Sequence, residues 1–417
     1  MLGVLGRFLE LRNAQWAGRD SLVRLQRRRL GAIVRRALST PYYGRLMDGL
    51  SITPEELESD ISLLPPTLKG QVQGGMQSFM APDSGRKLYP ISTSGSTGTP
   101  LRLCLDQDAA DQRTATLGLV QTEFGRTPFD LFAEISVRPC HTLPLLPAFG
   151  LFRKLPLSVF EDESRNLELL RRGRPDILGW YPSTLAVLAR LNLASGPRLR
   201  LKSVFCGAET LSAGRRRLLE ESFSGRVFQQ YGCVEFGTLA FECPEEKRLH
   251  VCAPSCLLEI ADARGRPKKS GSGDILVTSL SNQAMPLLRY RIGDRGSWGN
   301  DCPCGRSLPV LKSLEGRDND FIVLPSGRER SPVSFDIMDG IPGLLAYQLV
   351  QERPDHFVFR LVPAPSGFPE ESRREVRKRI LGACLGERVS VEFEEPPRLQ
   401  KTEGKLRTVV SKVAKPG

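Results

Sequence analysis

Ser92-Thr93-Ser94-Gly95-Ser96-Thr97-Gly98-Thr99-Pro100 is the stretch around which the chain is organised. All but Pro100 are Ser, Thr or Gly, so the stretch offers hydroxyls and approachable backbone N–H groups without side-chain bulk, which suits a phosphate. A flexible Ser/Gly linker has the same composition. It is not a Walker loop, because no Gly-Lys-Ser/Thr closes it and Thr99 stands where a lysine is expected. Any phosphate is therefore held by hydroxyls and amides. Leu88, Tyr89 and Ile91 precede the stretch and Leu101, Leu103 and Leu105 alternate after it, which predicts a turn between two strands.

The 417 residues allow two or three domains, and 40% apolar with 25% charged residues fits a soluble globular protein. No uncharged run approaches a membrane span, and Pro139–Phe152 is broken by Pro144 and Pro147. Arg7, Glu10 and Arg12 argue against a secretory signal, so the expected location is cytoplasmic. The ten cysteines then read as reduced thiols or metal ligands. A net charge of +12 admits nucleic acid, an anionic membrane face, polyanionic small molecules or acidic carrier proteins. Arg27–Arg29, Arg215–Arg217 and Arg377–Arg379 lack interleaved aromatics and read as solvated helix faces.

In chain order, Leu22, Leu25, Leu30, Ile33, Val34 and Ala37 predict a helix ended by Pro41. Leu64 to Lys69 is a turn and helix start, and helical spacing returns from about Asp108 to Phe124. The middle third alternates strand, loop and helix: Ile177 into Trp180-Tyr181-Pro182, a helix through Leu185, Leu188 and Leu191, Leu201 to Phe205 closed by Gly207-Ala208-Glu209, a helix from Ala213 to Phe223, and Val227-Phe228 leading into Tyr231–Gly237. This order implies a parallel α/β sheet with functional loops at strand ends. Beyond Leu249, short alternating strands separated by Gly-rich turns suggest a β-rich subdomain. The last hundred residues read as strand, helix, strand over Phe357–Val362, Glu370–Leu385 and Val389–Phe393, a small α+β domain. The expected class is α/β: a large N-terminal domain over 1–316, with its β-rich part at about 240–316, and a small mobile C-terminal domain over 317–417.

The Ser92–Pro100 loop, Tyr231-Gly232-Cys233-Val234-Glu235-Phe236-Gly237, Tyr290-Arg291-Ile292-Gly293-Asp294, Gly316-Arg317-Asp318-Asn319-Asp320 and Gly404-Lys405 occur in the order and approximate spacing of adenylate-forming enzymes. Pro41-Tyr42-Tyr43, the Leu64–Lys69 turn and Cys302-Pro303-Cys304-Gly305-Arg306 narrow this, and the chain resembles the phenylacetate-CoA ligase branch over nearly its whole length. The resemblance implies that a carboxylate attacks the α-phosphate of ATP to give acyl-AMP and pyrophosphate, and that a thiol then displaces AMP. It assigns Ser94, Gly95, Ser96, Thr97 and Gly98 to the β- and γ-phosphates, and Thr97 with Glu235 to Mg²⁺, a hard ion that takes oxygen ligands. Tyr231 stacks near adenine, Asp294 accepts from the ribose hydroxyls, Glu209 lies at the ATP site, Arg317 supports the nucleotide at the hinge, and Lys405 offsets charge at the reacting phosphate. The acyl pocket is expected near His141, Phe149, Trp180, Tyr181, Ala208 and Glu209, an apolar and aromatic set that suits an aryl or medium acyl acid. Val234 stands where the family usually has Thr, and Asn319 where it has an acid.

Cys243, His250, Cys302 and Cys304 form a Cys₃His set suited to tetrahedral structural Zn²⁺, with Cys252 and Cys256 as competing ligands and buried metal-free thiols as the alternative. The reading that results is an ATP-dependent acid–thiol ligase with coenzyme A as acceptor. One alternative keeps the adenylation and passes the acyl group to an acyl carrier protein thiol or an amine. A distant rival is a basic, zinc-stabilised nucleic-acid-binding protein without turnover, against which Glu235, Asp294 and Lys405 argue. No nucleic acid and no membrane span are expected, and a homodimer is left open.

Overall fold

The computed structural model describes residues 2–82, 87–93, 100–136, 149–317, 321–396, 399 and 406–413. The chain sorts into two compact units, each built from two segments: residues 1–123 with 230–314, and 124–229 with 315–417.

In the first unit the Arg19–Leu38 helix buries Leu22, Leu30, Ile33, Val34 and Ala37, the stripe its spacing predicts. Pro41 does more than end it. Thr40 caps a further helix, Pro41–Leu50, by accepting the Tyr43 N–H at 3.3 Å, and proline sits in the first turn, where no N–H is needed. Tyr43 is buried in the core, and its hydroxyl takes the Leu288 N–H at 2.8 Å. The Arg27–Arg29 run is not wholly solvated, since Arg29 bonds Glu10 at 2.6 Å. Strands Leu88–Ser92 and Arg102–Asp106 pair antiparallel with Ser92 opposite Arg102, and the Thr93 N–H continues the ladder to the Leu101 carbonyl at 2.9 Å. The expected pairing of the two strands that flank the Ser/Thr/Gly stretch in sequence forms. The unit's large sheet runs, in spatial order, Cys256–Ala261, Ser272–Ser279, Tyr290–Trp298, Val310–Arg317, Leu249–Val251, Gly237–Glu242 and the second half of Arg226–Cys233. This is the β-rich part, short strands joined by tight turns.

In the second unit Lys154–Ser158, Phe132–Ser136, Ile177–Trp180, Ser203–Cys206 and the first half of Arg226–Cys233 lie side by side in that order, all parallel. Helices Glu163–Gly173, Pro182–Ala194 and Ala213–Phe223 connect them. Every residue of Ser203–Cys206 is buried, as in a strand covered on both faces. The smaller C-terminal domain carries its own sheet, in the order Ser390–Glu394, His356–Pro363, Leu344–Arg353, Val409–Ser411. The Glu370–Ala383 helix packs Val376 and Ile380 among Phe335, Phe357 and Phe359.

The reading of Arg215–Arg217 as a solvated face fails at Arg215. Its side chain is 4% exposed and donates to Asp336 Oδ1 at 2.8 Å, and the Tyr347 hydroxyl donates to the same oxygen at 2.6 Å. Nearby, Arg190 donates to Asp339 Oδ1 at 3.1 Å and to the Leu345 carbonyl at 2.7 Å. A charge can leave water here because an opposite charge meets it. Among the described residues, no helix is long and apolar enough to cross a membrane.

Candidate functional site

In the first unit, Tyr231 lies near the end of the Arg226–Cys233 strand and Asp294 lies on Tyr290–Trp298. The Tyr231 hydroxyl donates to Asp294 Oδ2 at 2.7 Å, so the two motifs meet. Both depend on glycine. A Cβ on Gly232 would lie 2.3 Å from the Gly237 carbonyl oxygen, and Gly293 sits at φ +86°. Glu235, on the turn between Gly232 and Gly237, receives a long 3.5 Å hydrogen bond from the Tyr290 hydroxyl. Burial, and then the charge of Glu235, push the Tyr290 hydroxyl and the Cys233 thiol well above their ordinary values. Both therefore stay neutral. Arg289, at the head of the motif, is fully buried and serves the fold: it pairs with Glu259 at 2.9 Å and donates to the Gly265 carbonyl at 2.6 Å.

Beside Glu235 lies a polar cavity of about 20 Å³ lined by Gln112, Arg113, Thr116, Ser255 and Asn282 among others, room for about one water. Arg113 donates to the Val234 carbonyl at 2.5 Å and so fixes the turn that carries Glu235. Burial lowers its affinity for a proton, partly offset by the nearby Glu235. Sequence reasoning missed Arg113, because helical spacing alone gives no sign that its guanidinium reaches a turn more than a hundred residues away.

In the second unit, Trp180 ends a parallel strand with its ring edge-on to Phe132, centroids 5.9 Å apart, and Tyr181 beside it is buried. Gly207-Ala208-Glu209 follows the next strand. Ala208 is held at φ +66°, a left-handed conformation that a residue with a Cβ adopts at a cost of about 1 kcal/mol or more. Glu209 turns back onto the start of the Pro182–Ala194 helix, accepting the Ser183 N–H on Oε2 at 2.8 Å and the Ser183 hydroxyl on Oε1 at 2.9 Å. The Leu406 N–H reaches the same Oε1 at 3.3 Å. Trp180, Tyr181, Ala208 and Glu209 thus gather at the carboxyl ends of adjacent parallel strands, where α/β sheets bind ligands. Phe149 is 78% exposed. Arg317 closes the Val310–Arg317 strand. Its side chain, and Ser94, Gly95, Ser96, Thr97, Gly98, His141 and Lys405, lie outside the described residues.

The metal-candidate residues converge. The ligand atoms of Cys243, His250, Cys302 and Cys304 all lie within 4.8 Å of one another. Cys302 Sγ and Cys243 Sγ are 3.9 Å apart, and Cys304 Sγ and His250 Nε2 3.3 Å. A tetrahedral zinc with ordinary bond lengths sets sulfur–sulfur and sulfur–nitrogen separations of about 3.8 and 3.6 Å. Cys252 and Cys256 are buried but do not join this group. Burial, and then the nearby Arg306 charge, lower the His250 pKa to about 4, leaving the neutral ring a metal needs. Burial pushes the Cys302 thiol up to about 12. It works the same way on Cys304, but hydrogen bonds from Arg306 prevail and hold that thiol below its ordinary value. Arg306 approaches Cys243 Sγ at 3.9 Å, pairs with Glu123 at 2.5 Å and stacks on Trp16 at 4.5 Å.

No family model matches the chain. It is 26% identical over 375 residues to the phenylacetate-coenzyme A ligase of Thermus thermophilus, covering 80% of this chain and 79% of that protein. The corresponding Escherichia coli ligase is 26% identical over 365 residues, covering 81% and 80%. Among solved structures, 2-hydroxyisobutyryl-CoA ligase in its postadenylation state superposes with a TM-score of 0.76 at 19% identity, covering 94% of this chain and 89% of that one. An open conformation of the same ligase with 2-HIB-AMP and CoA gives 0.61 at 21% identity, covering 94% and 91%.

Proposed function

From kinship with phenylacetate-coenzyme A ligases over 80% of the chain, and from the fold it shares with an adenylate-forming CoA ligase, we infer that this protein is an ATP-dependent, AMP-forming acid–thiol ligase that passes an acyl group to coenzyme A. The observation that carries the reading is the meeting of two acidic motifs in one unit: the Tyr231 hydroxyl rests on Asp294 at 2.7 Å, and Glu235 lies four residues beyond Tyr231. Asp294 takes the ribose hydroxyls, Tyr231 flanks the adenine, and Glu235 with Thr97 holds Mg²⁺ against the phosphates cradled by Ser94–Gly98. Arg317 supports the nucleotide. Trp180, Tyr181, Ala208 and His141 line a pocket for an aryl or medium acyl acid. Residues 317–417 carry Lys405 to the α-phosphate, where its charge offsets the developing negative charge, and then withdraw to admit the thiol.

The Cys₃His cluster fits one structural zinc. Four protein ligands leave no open position, and the buried Arg306 offsets the negative charge that three thiolates bring to a divalent ion.

A pyrophosphate-exchange screen over aryl, fatty and amino acids, followed by CoA, an acyl carrier protein and amines as acceptors, tests the reading. Exchange with at least one acid and thioester formation with CoA are expected. Salt-sensitive nucleic-acid binding with no AMP formation overturns it. Lys405→Ala is expected to slow acyl-AMP formation about a hundredfold or more while leaving transfer from supplied acyl-AMP near normal, with Lys401→Ala as control.

A further inference from the structure

The carboxylate of Glu209 faces two elements far apart in sequence. Oε2 accepts the Ser183 N–H at the first turn of the Pro182–Ala194 helix, a turn that opens on Pro182 and whose amides have no partner within the helix. Oε1 accepts the Ser183 hydroxyl at 2.9 Å and the Leu406 N–H at 3.3 Å. Leu406 is 7% exposed, so the chain at this point is packed as well as bonded. Just beyond it, the Leu349 N–H reaches the Thr408 carbonyl at 2.8 Å, and Val409–Ser411 adds to the C-terminal sheet. Glu209 therefore grips the chain between that sheet and Lys405, the residue immediately before Leu406.

We propose that Glu209 is a positioning residue for the first half-reaction: rather than binding ATP, it docks the backbone that presents Lys405, using the start of the Pro182–Ala194 helix as its anchor. The inference rests on the assignment of Lys405 to adenylation. The carboxylate has two acceptor oxygens and no proton, so it can take the serine N–H and the incoming Leu406 N–H together. An amide offers one acceptor oxygen and cannot serve both. A helix N-terminus also favours a negative group, and the two bonds to Ser183 keep the carboxylate in place when the C-terminal segment leaves for the second half-reaction. The site at 209 thus persists through the cycle, and its bond to Leu406 is made in one half of it.

The test uses the full-length protein and the acid with the highest rate in the exchange screen. Glu209→Gln is expected to slow single-turnover acyl-AMP formation about tenfold to a hundredfold, the range for a hydrogen bond to a charged group. The KM for ATP should be nearly unchanged, and transfer from supplied acyl-AMP to CoA should stay within about twofold. The Leu406 amide should exchange with deuterium faster in the variant. Ser183→Ala, which keeps the carboxylate but removes one bond that orients it, should show a smaller effect of the same kind, and serves if Glu209→Gln folds poorly. Lys405→Ala combined with Glu209→Gln should be no slower than Lys405→Ala alone, because both act through one lysine. A raised KM for ATP with equal loss in both half-reactions identifies Glu209 as a nucleotide ligand and overturns the proposal, as does unchanged exchange at Leu406. Equal loss in both halves for Lys405→Ala overturns instead the lysine assignment, and the Leu406 exchange still reports on Glu209.

Discussion

Removing Asp336 tests how the C-terminal domain is held within the second unit. The Arg215 and Asp336 side chains are each 4% exposed, and Tyr347 donates to the same carboxylate oxygen. Burial lowers the arginine's hold on its proton, but Asp336, followed by neighbouring groups that include Asp339, more than restores it. Asp336→Ala strips the compensation and leaves a guanidinium in a dry interior, a change that costs about 3 to 5 kcal/mol. The loss of the Tyr347 bond falls within that figure, because both act on one oxygen. The chain can respond by unfolding the unit or by releasing the C-terminal sheet so that Arg215 meets water. Either way the docked population falls by roughly two to four orders of magnitude relative to its alternatives. Thermal unfolding should shift down by about 6 to 20 °C, taking about 2 to 4 °C per kcal/mol, or deuterium exchange over Ala213–Phe223 and Leu344–Arg353 should rise without such a shift. Tyr347→Phe, which deletes one hydrogen bond, should cost about 1.5 to 3 kcal/mol. Arg215→Met with Asp336→Leu should recover most of the loss, since apolar groups of similar volume often replace a buried pair at little cost. The reasoning fails if Asp336→Ala changes neither melting nor exchange, or if the double variant is no better than the single.

Three further outcomes follow from the geometry. Protein purified without added zinc should contain about one zinc per chain, and Cys302→Ser should lower both occupancy and melting temperature; sub-stoichiometric metal in a stable protein refutes the site. In protein stripped of metal, the folded His250 pKa of about 4 lies below the unfolded value of about 6.5, so the unfolded chain binds more protons between them. Stability should therefore fall as pH drops through that window, measured by urea unfolding, and His250→Gln should flatten the dependence. Tyr231→Phe removes the donor to Asp294 and should weaken ATP binding by about tenfold in calorimetry, whereas unchanged binding separates the tyrosine hydroxyl from the nucleotide site.

The sequence shows those parts of the fold that depend on local pattern. Alternation on either side of Ser92–Pro100 marks a hairpin, and the arginine-rich stretch before Pro41 keeps its apolar stripe, because period and turn chemistry are written in adjacent residues. The Cys₃His set is visible because few residue types bind zinc. Pro41 was legible only as a stop. That it also starts a helix depends on Thr40, whose cap reads as an ordinary polar residue until the backbone turns. Arg215 and Arg113 were illegible for a different reason: each is defined by a partner more than a hundred residues away, and an arginine on a charged helix looks solvated until that partner is placed. Glu209 stood out in the sequence as part of a motif, but its grip on Leu406 spans nearly two hundred residues and leaves no local sign.

The hairpin beneath the Ser/Thr/Gly stretch also bears on redesign. Its ladder is complete to Thr93 and Leu101: the Thr93 N–H reaches the Leu101 carbonyl at 2.9 Å, and the Leu101 N–H reaches Thr93 Oγ1 at 3.1 Å. Downstream, Asp106 holds the far strand in place, accepting the Ala109 N–H at 2.8 Å and the Gln283 N–H at 2.9 Å. These bonds fix the base through residues on either side of Ser94–Thr99. Doubling the length of a flexible loop on such a base adds only about 0.6 kcal/mol of closure entropy. A base held in this way should tolerate residues inserted or swapped between Thr93 and Pro100 while the flanking strands stay paired, which turns this point of the chain into an entry site for redesign.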